Sequence, residues 1–197
     1  MLLALHVYLE TPRLILRRLT IADVDAVEAL DADPIVMRYV NGGRATSRAE
    51  LESDVFPAWL AYYERGDAWG FWAAIERESG RFLGWFHLRP AHDGPADEPE
   101  LGYRLVRDAW GQGYATEGSR GLVDKAFGEL GARRVWAATM KVNVASWRVM
   151  EKIGMRFVRL SFGEWPEPIP GDEQGDVEYE ITREEWAGTG TARPSVI

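Results

Sequence analysis

The sequence predicts a mixed α/β domain of the α+β kind, a mostly antiparallel sheet flanked by helices. Three observations predict it. Short alternating segments of strand length are interleaved with stretches of helical period, in the order βααβββαβαββ. Three strand-like segments follow one another in the front half with no helix between them, which suits antiparallel pairing. The 197 residues are 46% apolar, enough for one domain with a substantial core, and no internal repeat, low-complexity tract or linker divides them.

Taken in order, Arg13–Leu19 alternates and reads as the first strand, after which Thr20 caps a helix over Ile21–Ala32. Ser47–Arg65 is a second helical stretch with Leu51, Val55, Trp59, Leu60 and Tyr63 as its apolar positions. Pro57 should disturb it, and Gly66-Asp67 ends it. Strands follow at Trp69–Glu76 and Phe82–Leu88, joined by the turn Glu78-Ser79-Gly80. Arg89–Pro99, with three prolines and a glycine, reads as loop. Glu100–Val106 is a strand and Tyr114–Leu130 a helix closed by Gly131. Arg133–Thr139 is a strand and Val144–Ile153 a short helix stopped by Gly154. Strands at Met155–Phe162 and Val177–Thr182 finish the pattern, separated by the Pro-rich acidic loop Trp165–Gly175.

Composition narrows the function. The chain has no cysteine, which removes disulfides, zinc-thiolate sites and cysteine nucleophiles, and suits a reducing cytoplasm. A net charge of −8 argues against nucleic acid as partner, because phosphate binding rests on Lys and Arg. Met1–Leu5 is apolar but lacks a basic n-region, and Glu10, Arg13 and Arg17 follow. It is too short for a secretory signal or a membrane span, so the expectation is a soluble cytoplasmic protein with no membrane partner.

The most informative segment is Glu100–Gly131. A strand runs through Arg107-Asp108-Ala109-Trp110 into Gly111-Gln112-Gly113-Tyr114-Ala115-Thr116 and then a helix. Two glycines before a helix start leave backbone N–H groups bare, and the helix dipole adds positive charge, so the turn can cradle a phosphate or diphosphate. A side chain at 111 or 113 would stand where the phosphate oxygens must sit. No Gly-Lys-Ser/Thr ending is present, and Thr116 stands where a dinucleotide fingerprint needs glycine. Phosphate here is a handle on a cofactor. Taken alone, the glycine pair reads equally as a structural turn.

The second segment runs from Asn143 to Met155. Its local reading is a helix with Asn143 as N-cap, Lys152 in the last turn and Gly154 as the left-handed terminator. The two segments together, WGQGYATE leading a helix and then NVASWRVMEKIGM, resemble the GNAT superfamily of N-acetyltransferases. The likeness is to the Rim-type branch, which includes ribosomal-protein N-terminal acetyltransferases. TPRLILRRLT, the front-half Trp69-Gly70-Phe71-Trp72 with Gly84, and the closing Asp176, Tyr179 and Glu185-Trp186 extend it. The resemblance implies a single acetyltransferase domain over 10–187, terminal extensions at 1–9 and 188–197, and a V-shaped splay between the central strands.

What the resemblance implies about the site follows the motifs. Acetyl-CoA is the co-substrate and no metal takes part. The pantetheine arm lies along Leu105 and Val106 like an added strand. The diphosphate rests on the turn Gly111, Gln112, Gly113, Tyr114, Ala115 and Thr116. Asn143 bonds the pantetheine amide and Ser146 lies near the sulfur. Glu100 matches a frequent catalytic carboxylate, the candidate base, with an edge-strand glutamate facing water as the alternative; His87 and His92 are lesser candidates. Ser146 is the candidate thiolate-stabilising donor, compatible with a capping role. The partner is an amine acceptor, a peptide N-terminus or a small molecule, and a homodimer is allowed. Met150 departs from the pattern, since many members carry a tyrosine there as acid. Asp108 departs too, where the wider superfamily often has Arg or Gln. The departure at Met150 keeps a cofactor-binding or sensing module as the rival reading. Asp93, Asp97, Glu98, Glu164, Glu167, Asp172 and Glu173 sit in the loops flanking the acceptor side, either to attract a cationic amine or as ordinary solvated charges. Trp69, Trp72 and Trp85 are candidates to line its pocket or to fill the core.

Overall fold

The computed structural model describes residues 6–91, 94–163 and 167–188. Its frame is one eight-stranded sheet in the order β1-β2-β3-β4-β5-β6-β8-β7. The strands are β1 (Val7–Glu10), β2 (Leu14–Arg18), β3 (Gly70–Glu76), β4 (Phe82–Pro90), β5 (Pro99–Leu105), β6 (Arg134–Met140), β7 (Arg156–Ser161) and β8 (Asp176–Thr182). Every neighbouring pair is antiparallel except β5 and β6, which run parallel and share a single registered pair, Glu100 with Trp136. Beyond that pair the two strands part, so the sheet opens in a V between Leu101–Leu105 and Ala137–Met140.

Helices cover both faces. α1 (Val24–Asp31), α2 (Pro34–Asn41), α3 (Arg48–Glu50) and α4 (Phe56–Glu64) lie on one face, where Leu19, Val24, Val27, Leu30, Leu51 and Phe56 pack on Phe71, Ala73 and Trp85. α5 (Tyr114–Gly128) and α6 (Val144–Lys152) lie on the other, packing Leu122, Val123, Ala126 and Met150 against Leu16, Trp72, Phe86 and Leu101. Gly118 is the closest approach of α5 to the sheet. A Cβ there would stand 2.5 Å from the Phe86 ring.

Several elements differ from the sequence expectation. Val7–Leu9, expected in an N-terminal extension, form part of an edge strand whose Tyr8 stacks on Trp72 at 3.8 Å between ring centres. α2 was not anticipated, although Asp33 caps the Ile35 N–H, Pro34 opens the first turn and Gly42 (φ 76°) closes it. α7 (Arg183–Gly188) is opened by reciprocal bonds between Thr182 and Glu185, a capping box. β4 continues through Arg89 and Pro90, which pair with Glu100 and Pro99, so the expected loop is shorter. The long second helix runs unbroken from Arg48 to Glu64 but is irregular just before Pro57. Pro57 has no N–H for the carbonyl four residues back, and Leu51–Val55 widen into a π turn just before. β7 is an edge strand exposed along its length. Among the described residues no helix is long and apolar enough to cross a membrane.

Candidate active site

The phosphate-cradle segment folds as a bare helix start. Gly111 (φ 72°) and Gly113 (φ 87°) both take left-handed backbone conformations, which side chains resist, and α5 begins at Tyr114. A Cβ at Gly111 would meet no protein atom within 4 Å, so that glycine preserves conformation and open space. Among the described residues no backbone acceptor pairs with the N–H groups of Gly111, Gln112, Gly113, Tyr114 or Ala115. Five unpaired donors at the positive end of a helix fit a diphosphate. The turn is pinned by Arg13, the residue just before β2. Arg13 donates to the Gln112 carbonyl (2.9 Å) and to Glu117 (2.7 Å), with its guanidinium 4.4 Å from the centre of the Tyr114 ring. The Tyr114 ring is buried and its hydroxyl bonds Glu76. Gln112 bonds the Asp108 carbonyl through its side chain, and Thr116 lies half-buried on the first turn.

Leu105 and Val106 lie where β5 leaves the sheet toward this turn. The Leu105 carbonyl accepts from the Trp110 indole (2.8 Å), and the Val106 N–H donates to the Leu83 carbonyl (2.8 Å).

α6 starts beside the open side of the V. Asn143 holds the N-cap position, but its side chain makes no capping bond and donates instead to the Thr139 hydroxyl on β6 at 3.0 Å. The expected side-chain cap is thus replaced by a tie to the neighbouring strand. Ser146 is half-buried in the first turn, with the Tyr103 hydroxyl 3.4 Å from its Oγ. Burial raises the Tyr103 phenol above its usual range, and the contact with Ser146 pulls the other way. Met150 is buried in the core between α5, α6 and the sheet, so the position where many relatives place an acid is apolar packing here.

Glu100 projects from the opposite face of β5, at the point where β5 and β6 separate. Strand alternation explains this: Glu100, Gly102 and Arg104 face the α1–α4 side, while Leu101, Tyr103 and Leu105 face α5. The carboxylate is 3.1 Å from Arg89 Nη2 and 3.9 Å from His87 Nε2. Burial raises its pKa above the ordinary glutamate value, and Arg89 opposes the rise. Glu100 is half-buried, its side chain 22% exposed. His87 lies opposite Gly102, packed edge-on to Phe71 and alongside Trp85. Burial lowers it to about 3, with the Arg89 and Arg104 charges adding to the shift. At neutral pH the imidazole is uncharged and too weak to serve as the base.

The other acceptor-side candidates separate. Trp85 is buried in the core on the Glu100 face, beneath the Arg104 guanidinium, while Trp72 is buried in the core of the opposite face and Trp69 packs at its margin. Asp97 and Glu98 are ion-paired with Arg133, and Glu98 also with Arg134. Asp172 and Glu173 accept local backbone bonds from Ile169 and Gly171. His92, Asp93 and Glu164 lie outside the described residues.

A bare glycine turn at a helix start thus lies on one face, a half-buried carboxylate on the other, and the split sheet between them. A family profile described as "Acetyltransferase (GNAT) domain" matches residues 13–156. The chain belongs to the GNAT acetyltransferase family. This GNAT enzyme is an acyltransferase, and its sequence is 40% identical over 164 residues to the FsC-acetyl coenzyme A-N(2)-transacetylase of Aspergillus fumigatus. That match covers 80% of this chain and 68% of the relative. It is 32% identical to the uncharacterised YkkB of Bacillus subtilis, over 70% of this chain and 77% of that one. Two solved structures share the fold. RimL, a ribosomal L7/L12 α-N-protein acetyltransferase in complex with coenzyme A, superposes with a TM-score of 0.75 at 18% identity, covering 90% and 98% of the two chains. A spermidine N-acetyltransferase from Vibrio cholerae, in complex with CoA and spermine, gives 0.71 at 17% identity, covering 90% and 99%.

In the GNAT enzyme the glycine turn, the open side of β5 and the first turn of α6 converge around the V. Sequence reading had not singled out Tyr103, Arg89 or Arg104. Strand parity relative to Glu100 is the signal that separates Tyr103 from Arg104 on β5, whereas Arg89 is placed only by the β4–β5 register.

Proposed function

We propose that the protein transfers the acetyl group of acetyl-CoA to a primary amine by direct attack within a ternary complex. One observation carries this reading. Glu100 stands on one face of the sheet where the strands part, and the donors at Gly111–Ala115, with Ser146, stand on the other. Bound acetyl-CoA supplies a thioester. The chain's residues supply everything else.

Gly111, Gln112, Gly113, Tyr114 and Ala115 would hold the diphosphate with backbone N–H groups, at about 1.5–3 kcal/mol for each charge-assisted bond. Thr116 closes that turn, Leu105 and Val106 flank the arm, and Asn143 would bond its amide. Glu100 takes the proton from the attacking amine, a role that its raised pKa favours. Ser146 offers a hydroxyl hydrogen to the departing sulfur. With Tyr103 donating to its oxygen, the Ser146 hydrogen is free to point away toward the V.

The acceptor that fits is an α-amine. Neutralising an α-amino group (pKa about 7.8) at pH 7 costs roughly 1 kcal/mol, against roughly 4–5 for a lysine side chain. A single half-buried carboxylate meets the first demand more readily. The name of the A. fumigatus relative, an N(2)-transacetylase, supports the same choice. The test is a mass-spectrometric screen of acetyl acceptors that includes amino-acid amides, peptide N-termini, lysine derivatives and polyamines, with thiol release followed in parallel. Acetylation of α-amines ahead of the others is the expected result. Cofactor binding without thiol release, whatever amine is added, would overturn the reading in favour of a sensing module.

A further inference from the structure

We propose that His87 is an acceptor-binding residue: its Nε2 receives an N–H bond from the same amine nitrogen that Glu100 deprotonates. The inference rests on the acetyltransferase reading and adds the second contact that aims the nucleophile.

Four observations support it. His87 is buried, with a side chain 10% exposed, yet both ring nitrogens lack a hydrogen-bond partner among the described residues. An unsatisfied buried polar group costs about 1–3 kcal/mol, so such a group in a site calls for a ligand. Room for the ring is built in. A Cβ on Gly102, directly across the ladder, would lie 2.6 Å from the imidazole. Phe71 and Trp85 then fix the ring plane. Finally, Nε2 faces Glu100 Oε1 across 3.9 Å, too far for a mutual hydrogen bond. With the ring proton on Nδ1, the pair is two acceptors converging on one point. A primary amine carries the two N–H bonds that such a point requires.

The charged groups around the ring are Glu100 and Arg104 on β5 and Arg89 on β4, and Asp31 on α1 pairs with Arg104. Burial, with the Arg89 and Arg104 charges adding to it, keeps the imidazole neutral, so His87 exchanges no proton. The amine proton goes to Glu100.

The probe is glycinamide, a small α-amine without a carboxylate, added to the full chain carrying ¹⁵N-labelled histidines in the presence of coenzyme A. We expect a saturable shift of the His87 Nε2 resonance, assigned by its loss in His87→Phe, and none with acetamide. In turnover with acetyl-CoA, His87→Phe should raise the KM for glycinamide about tenfold, the size of one net hydrogen bond. The KM for acetyl-CoA should hold, and His87→Gln should recover part of the loss. Should His87→Phe fail to fold, Gly102→Ala displaces the ring and must raise the same KM. An unmoved His87 signal, or an unchanged glycinamide KM in a folded variant, overturns the proposal and leaves the acetyltransferase reading in place. A shifted signal with no acetyl transfer to any amine would overturn the acetyltransferase reading, and with it the nucleophile-aiming role, leaving His87 as an amine-binding group only.

Discussion

Arg89 and Glu100 are paired across the β4–β5 ladder, with the guanidinium 3.1 Å from the carboxylate. The pair opposes two effects on one group. Burial pushes Glu100 up and Arg89 pulls it down, with the net direction upward. As a base, Glu100 therefore fills its active, deprotonated form only above the ordinary glutamate range. The rate should rise with pH through that limb. Glu100→Gln should remove the limb and cost about 10²–10⁴ in kcat/KM, less for an acceptor already partly neutral. Arg89→Met should move the limb to higher pH, because a charge favouring the carboxylate is gone. Rate profiles of the three proteins check both. Linkage gives a second reading. A carboxyl raised in the folded state contributes stability below its unfolded pKa and loses it as pH rises through the folded value. The wild type should thus lose melting temperature relative to Glu100→Gln as pH rises through the same limb.

Acetyl-CoA should raise the melting temperature, and equal concentrations of ATP or NAD should not. At about 100 times its Kd, a ligand that binds only the native state stabilises it by about 2.7 kcal/mol. Gly113→Asp should abolish the shift by placing a carboxylate at the cradle. Forcing a side chain into φ 87° costs about 1–2 kcal/mol, which the fold should survive. A folded variant that keeps normal cofactor affinity would show that the turn is structural only.

Ser146→Ala should lower kcat about tenfold or more with little change in the KM for acetyl-CoA, because the lost bond forms as the sulfur takes charge. Tyr103→Phe should give a smaller loss in the same direction, since it acts on Ser146 and not on the sulfur. A fall confined to acetyl-CoA binding would return Ser146 to a packing role.

Met150→Tyr should not restore an acid. Met150 is 4% exposed in the core, and overpacking of that kind costs about 1–3 kcal/mol. We expect a lower melting temperature and no gain in kcat. A more active variant of unchanged stability would mean that the position opens onto the site.

The two motifs, WGQGYATE with its following helix and NVASWRVMEKIGM, were legible because their chemistry is local. A left-handed glycine before a helix start exposes donors wherever that turn occurs, and the helix of a short segment is set by its own period and terminator. The same holds for Pro57 and its π turn. The misses were local as well. The Asp33-Pro34 opening of α2 and the Thr182–Glu185 box of α7 carry start signals, but neither helix exceeds 8 residues, too short for a clear period.

From its residues alone, then, the sequence determined the mixed fold, the glycine turn before a helix start, the N-terminal turn of α6 and a carboxylate at the start of β5. Only the tertiary structure decided what those parts do to one another. It put Glu100 beside Arg89 and His87, turned Tyr103 toward Ser146, gave Asn143 to Thr139 and drew Asp97 and Glu98 away into ion pairs with Arg133. The reason is register. Which residue faces which across two strands depends on how the strands pair, and a pKa or an unsatisfied ring nitrogen depends on everything packed around it. Neither is a property of the segment that carries the residue.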